Sequence, residues 1–147
     1  MASKQIISYG AKVERSTDGV TYTTIPECKG VAVPEVEQDY PEVTSFDSPN
    51  GFRQYIPGLQ DSGEITIPCG YTSAGFALML ADQTWAKANG PIYYKVTLRP
   101  AIDQTIGDIF TYRGYPTPRL SPGDIGEPIE MNVVVRVDAD YAFEIGS

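Results

Sequence analysis

Two cysteines and one pair of carboxylates are the side chains here whose type and spacing suggest chemistry. Cys28 and Cys69 are the only thiols, with no CxxC spacing and no disulfide-scaffold density. Isolated thiols of this kind read as small buried hydrophobes in a reducing compartment. Asp138 and Asp140 fall two residues apart, on one face of a strand. Paired acids perform general acid–base work when their environments split their pKa values, but two acids beside a turn read as a solvated edge. Histidine is absent from the chain. That removes Ser-His-Asp and Cys-His nucleophiles, HExxH zinc sites and imidazole proton transfer together. There is no P-loop, no GxGxxG and no complete calcium loop. The expectation is a protein that is not an enzyme, with no catalytic residue, no metal and no cofactor.

Charge points the same way. Of 147 residues, 19 are acidic and 11 basic, for a net charge of −8. The basic residues are scattered, so no patch neutralises phosphates and specific nucleic-acid binding is not expected. The longest near-apolar run, residues 74–81, is too short to cross a bilayer. With no signal-peptide pattern and no Asn-x-Ser/Thr site, assembly in a cytoplasm without stable membrane association is expected.

The elements that position these groups are short. Pro26, Pro34, Pro41, Pro49, Pro57 and Pro68 punctuate the first half and forbid a long helix there. Strands between turns fit that rhythm. The proline-free interval from Pro68 to Pro91 holds the one predicted helix, capped by Thr72 or Ser73 and ended by Asn89-Gly90, or earlier near Asp82. Phe76, Met79, Leu80 and Gln83 are expected to face a sheet. Residues 92–99 and 130–137 alternate apolar and polar, and 109–115 and 142–145 read as further strands. Asp18-Gly19 marks a hairpin between 12–16 and 21–25.

Seven to nine strands and one helix make a mainly β domain over 1–147. The expected architecture is an antiparallel β-sandwich or open barrel with a flanking helix. Two segments look loop-like, 39–50 and 116–128. The first opens a long hairpin arm, with strand candidates 42–46 and 52–56, a tight Pro57-Gly58 turn, and a strand at 64–67. Phe46, Phe52 and Tyr55 on such an arm imply either packing on their own sheet or contact with another subunit.

The run 52–67, FRQYIPGLQDSGEITI, resembles the signature of the tail tube proteins of long-tailed, non-contractile phages (siphophages). The looser match covers most of the chain: opening strands, the arm with Asp47, Ser48 and Pro49, the helix, then a Val-rich closing strand. No appended immunoglobulin-like domain is expected. The resemblance implies a structural virion protein whose copies close into hexameric rings and stack into the tail tube, the conduit for DNA ejection. Partners would be the chain itself, a tape-measure protein, a tail-tip initiator and a tail terminator, with DNA passing without sequence-specific contact. Its location would be the virion tail, assembled in the host bacterial cytoplasm.

On that resemblance, contacts between subunits and rings fall to Phe46, Asp47, Phe52, Arg53, Tyr55, Pro57, Gly58 and Asp61. Glu42 and Glu64 are candidate acidic lumen lining, because a cationic wall would hold the duplex. The tube of a contractile tail, a bacteriocin or a type VI system shares the general fold. From another class, ten tyrosines leave open a lectin-like β-sandwich binding module.

Overall fold

In the computed structural model, the described residues are 6, 10–30, 32–43, 51–61, 63–121, 125–139 and 141–147. Among these residues, nine strands and one helix follow in the order β1 (Lys12–Ser16), β2 (Thr23–Thr24), β3 (Glu37–Gln38), β4 (Gln60–Asp61), β5 (Glu64–Gly70), α1 (Ser73–Asn89), β6 (Ile92–Thr97), β7 (Ile109–Ser121), β8 (Glu130–Val137) and β9 (Ala142–Glu144). Seven of the strands form one antiparallel sheet in the order β2-β1-β6-β7-β8-β5, with β9 also paired to β7. The remaining two, β3 and β4, pair with each other as the arm.

Period-two patterning decides the inner face. Val13, Ile67, Cys69, Ile92, Tyr94, Val96, Tyr112, Met131, Val133, Val135 and Val137 are buried, and cross-strand register brings them together. Helix α1 packs along β7 and adds Met79 and Ala86 to this core. The expected mainly β architecture with one helix is what forms.

The sheet nearly closes on itself. After β2 the chain holds to β1 through Ile25 N–H donating to the Val13 carbonyl at 2.9 Å. It then turns at Pro26-Glu27, where Glu27 takes φ 59°. Residues 27–29 land on the outer edge of β5, with Lys29 N–H to Pro68 O and Gly70 N–H to Glu27 O, both 2.8 Å. Cys28 therefore faces Cys69 across an antiparallel bridge. This seam makes the sheet an open barrel.

Helix α1 begins and ends as the sequence indicates. Thr72 accepts the Gly75 N–H on its side-chain oxygen at 3.1 Å, and Gly90, at φ 117°, donates back to Ala86. The alternative stop near Asp82 is not used. The buried face is rotated from the expected one: Gly75, Met79, Asp82 and Ala86 point inward, while Leu80 is exposed. Two contacts force the rotation. A Cβ on Gly75 would sit 3.1 Å from Pro26, so only glycine lets the helix start approach the seam. Asp82 meets Arg15 of β1 through both carboxylate oxygens, one bond measuring 2.6 Å from Nε.

Strand β7 also departs from expectation, running through Pro116 and Pro118 to Ser121 where a loop was expected from 116 to 128. Backbone parity explains it. Asp108 accepts from Leu98 toward β6, and Arg113 accepts from Asp138 on the β8 side. Even-numbered residues of β7 thus direct their backbone groups toward β6, which ends opposite Gly114. Pro116 and Pro118 lack N–H groups only where no β6 residue remains to accept them.

Candidate functional site

Among the described residues, no constellation for catalysis assembles. Asp138 is held by Arg113 at 3.1 Å, and Asp140 lies outside the described residues. No cluster of three or more His, Cys, Asp or Glu residues capable of holding a metal occurs among the described residues. No described helix is long and apolar enough to cross a membrane. An open depression of about 400 Å³ beside the seam is lined by Glu27, Lys29, Gly70, Tyr71, Thr72, Pro128 and Ile129. Its lysine is already tied to Glu130 at 2.9 Å.

The titratable groups with perturbed pKa values are structural. Asp18 is pulled to about 2, first by the Ser16 hydroxyl and then by the Val20 and Thr21 N–H groups, which fix the hairpin. Burial raises Asp82, and the Arg15 hydrogen bonds and charge offset part of that rise. Burial also raises Tyr94 and Tyr112, which stack with ring centroids 5.6 Å apart.

The arm is the unusual surface. Its two limbs pair Glu37 with Asp61 and Gln38 with Gln60, then continue through Asp39 N–H to Leu59 O at 3.0 Å. Further out, Ile56 N–H reaches Pro41 O, Val43 N–H reaches Gln54 O, and Glu42 faces Tyr55. Between these pairings the register changes by one residue, because the returning limb carries one extra. The expected Pro57-Gly58 turn is therefore a bulge within that limb. The chain does not turn back there: residues 54–56 stay paired with 41–43 across the arm. Gly58 sits so close to the opposite limb that a Cβ would lie 3.0 Å from Pro41 and 3.2 Å from the Asp39 carbonyl.

Every described residue in 39–43 and 51–60 is exposed. That includes Tyr40, Val43, Phe52 (71%), Tyr55, Ile56 and Leu59 (87%), so the arm covers none of them. Of the two readings for the arm aromatics, packing on their own sheet is excluded for Phe52 and Tyr55. Phe46 and Asp47 lie outside the described residues. Arg53 stands 3.8 Å from Glu42, an exposed pair within the arm. Pro57 and Gly58 form the bulge, and Asp61 ends the pairing of the two limbs. Leu59, Tyr40 and Ile56 were missed by sequence reasoning, although the run Ile56-Pro-Gly-Leu59 carries two of them openly.

Glu64 stands apart from Glu42, at the start of β5 and 3.9 Å from Arg136 of β8. Each proposed lining acid thus has an arginine beside it. On β5, even-numbered residues direct backbone groups outward, as the Pro68 and Gly70 bonds to 27–29 show. Among the described residues, no backbone partner meets Glu64 or Thr66 on that side.

The chain has counterparts among solved structures. A chain in the cryo-EM structure of an extracellular contractile injection system, PVC sheath/tube terminator in the extended state, aligns with a TM-score of 0.70 over 98% of this chain and 99% of that one. The two chains share one fold. A chain in the baseplate structure of the anti-feeding prophage gives 0.69, with 97% of each chain covered. The SPP1 tail tube gives 0.61, over 97% of this chain and 80% of that one. Identities are 14%, 10% and 14%, so the fold is shared while nearly all side chains differ. No protein-family model and no curated protein sequence matches the chain.

Proposed function

We propose that this chain is the repeating subunit of a phage tail tube, closing into six-membered rings that stack into a hollow conduit for DNA. The observation that carries the reading is the arm: large apolar side chains held on a hydrogen-bonded limb with no core beneath them. Such a surface is stable in water only at a cost that burial in a neighbour removes. The match to the SPP1 tail tube along nearly the whole chain supports the same reading.

In this reading the arm, through Phe46, Asp47, Phe52, Arg53, Tyr55, Pro57, Gly58 and Asp61 together with Leu59, reaches the adjoining subunit or ring. Sheet edges meet between neighbours around the ring, each covering the other. A head-to-tail contact that closes gives the ring, and an axial one that does not close gives the tube. Tube ends then meet a tape-measure protein, a tip initiator and a terminator. Glu42 and Glu64 contribute to a lining that keeps DNA mobile. If so, Glu42→Lys with Glu64→Lys slows DNA ejection from intact tubes, and unchanged ejection removes both from the lining.

The siphophage branch rests on the wording of residues 52–67. The higher TM-scores and near-complete mutual coverage of the contractile-injection chains favour, as a second reading, the tube of a contractile particle. Size-exclusion chromatography over a range of concentrations, followed by electron microscopy, tests the main proposal. Rings or tubes with an open channel are the expected result. A chain that stays monomeric at millimolar concentration overturns it, and glycan binding by that monomer would transfer the function to the lectin class.

A further inference from the structure

We propose that Cys28 and Cys69 are a modification site: under oxidation they join as a disulfide that staples the barrel seam. The geometry of the seam supports this directly. Lys29 N–H bonds Pro68 O and Gly70 N–H bonds Glu27 O. That pattern places Cys28 and Cys69 opposite each other as a non-hydrogen-bonded antiparallel pair. Such pairs have Cα atoms about 4.5 Å apart, inside the range a disulfide spans. The two sulfurs stand 3.1 Å apart already, and both thiols are free. Cys69 is fully buried, whereas Cys28 is half-buried and gives a reagent its point of entry.

The oxidant is a small disulfide such as oxidised glutathione. The Cys28 thiolate attacks it, forming a mixed disulfide and releasing one glutathione thiol. The Cys69 sulfur then attacks Cys28, forming the Cys28–Cys69 bond and releasing the second. Two thiols lose two protons and two electrons, and one glutathione disulfide takes them up. The sulfur–sulfur hydrogen bond, and then burial, raise the Cys28 thiol. The first exchange, which needs the Cys28 thiolate, quickens as pH rises.

The consequence is mechanical. The two residues are separated by 41 positions, and the whole arm lies between them. A cross-link there shortens the unfolded chain's freedom at the root of the arm without touching the arm itself. It stays within one subunit, so this inference holds or fails independently of assembly.

The test uses the unaltered full chain in glutathione buffers from fully reduced to fully oxidised. The expected outcome has both thiols vanish together from alkylation, with a cross-linked 28–69 peptide from a single chain. The thermal midpoint should rise by about 8–16 °C for a loop of this length, and fall back on reduction. Cys28→Ser and Cys69→Ser chains should show no such rise. Thiols that stay alkylatable in fully oxidised buffer overturn the proposal. So do a persistent glutathione adduct, a disulfide formed between chains, or a cross-link that leaves the midpoint unchanged.

Discussion

Truncating Phe52 and Leu59 together should weaken assembly sharply while leaving the subunit folded. In the isolated subunit these side chains are 71% and 87% exposed, so truncation to alanine takes little from its own core. Stability should then move by no more than about 0.5 kcal/mol, as for surface substitutions generally. In an assembled tube the same atoms leave water. Complete burial of a Leu or Phe side chain contributes about 1.5–3 kcal/mol. Scaled by the exposed fractions, the pair would supply roughly 2.5–4.5 kcal/mol per subunit. At about 1.4 kcal/mol for each factor of ten, the concentration threshold for tubes should rise by roughly a hundredfold to a thousandfold.

Chemical denaturation gives the first number, and sedimentation with microscopy across a dilution series gives the second. Tubes forming at the wild-type threshold would refute the role of the arm. A fall of several kcal/mol in subunit stability would refute it differently, by showing that the arm is packed on its own domain.

Three further outcomes concern what holds the subunit together. Arg15→Met leaves the Asp82 carboxylate buried without its partner and should cost about 3–5 kcal/mol at neutral pH, while Arg15→Met with Asp82→Leu costs far less. Because burial raises the Asp82 pKa and Arg15 no longer lowers it, stability lost as pH rises through that value returns on acidification. Denaturation at neutral and acid pH checks both points, and a pH-independent loss counts against a buried charge. Gly75→Ala should destabilise the fold by melting temperature despite alanine's higher helix propensity. Its Cβ would lie 2.8 Å from the Thr72 capping oxygen and 3.1 Å from Pro26. Asp18, depressed to about 2, gives stability that is complete above the ordinary carboxylate value of 3.8 and is lost as pH falls toward 2. Asp18→Asn should flatten that limb of an acid-unfolding curve, and an unaltered curve would remove the hairpin from the account.

The acid-rich, histidine-free composition and the 52–67 wording set the functional class under consideration before any coordinates. The local grammar set much of the fold. Thr72 and Asn89-Gly90 bounded the helix, Asp18-Gly19 marked the first hairpin, and alternation at 92–98 and 131–137 named the core faces of β6 and β8. These features act within a few residues, through a capping oxygen, a positive φ or a two-residue repeat, and a sequence displays such things openly.

What only the tertiary structure decided depends on partners far away in the chain. Pro116 and Pro118 continue a strand because β6 ends opposite Gly114. The helix turns its Asp82 face inward because Arg15 waits on β1, 67 residues earlier. Pro57-Gly58 became a bulge once Pro41 and Asp39 lay against it, and Cys28 met Cys69 only when the barrel closed. Each case is settled by which backbone or charge arrives on the other side, and a residue's own neighbours in sequence carry no record of that arrival.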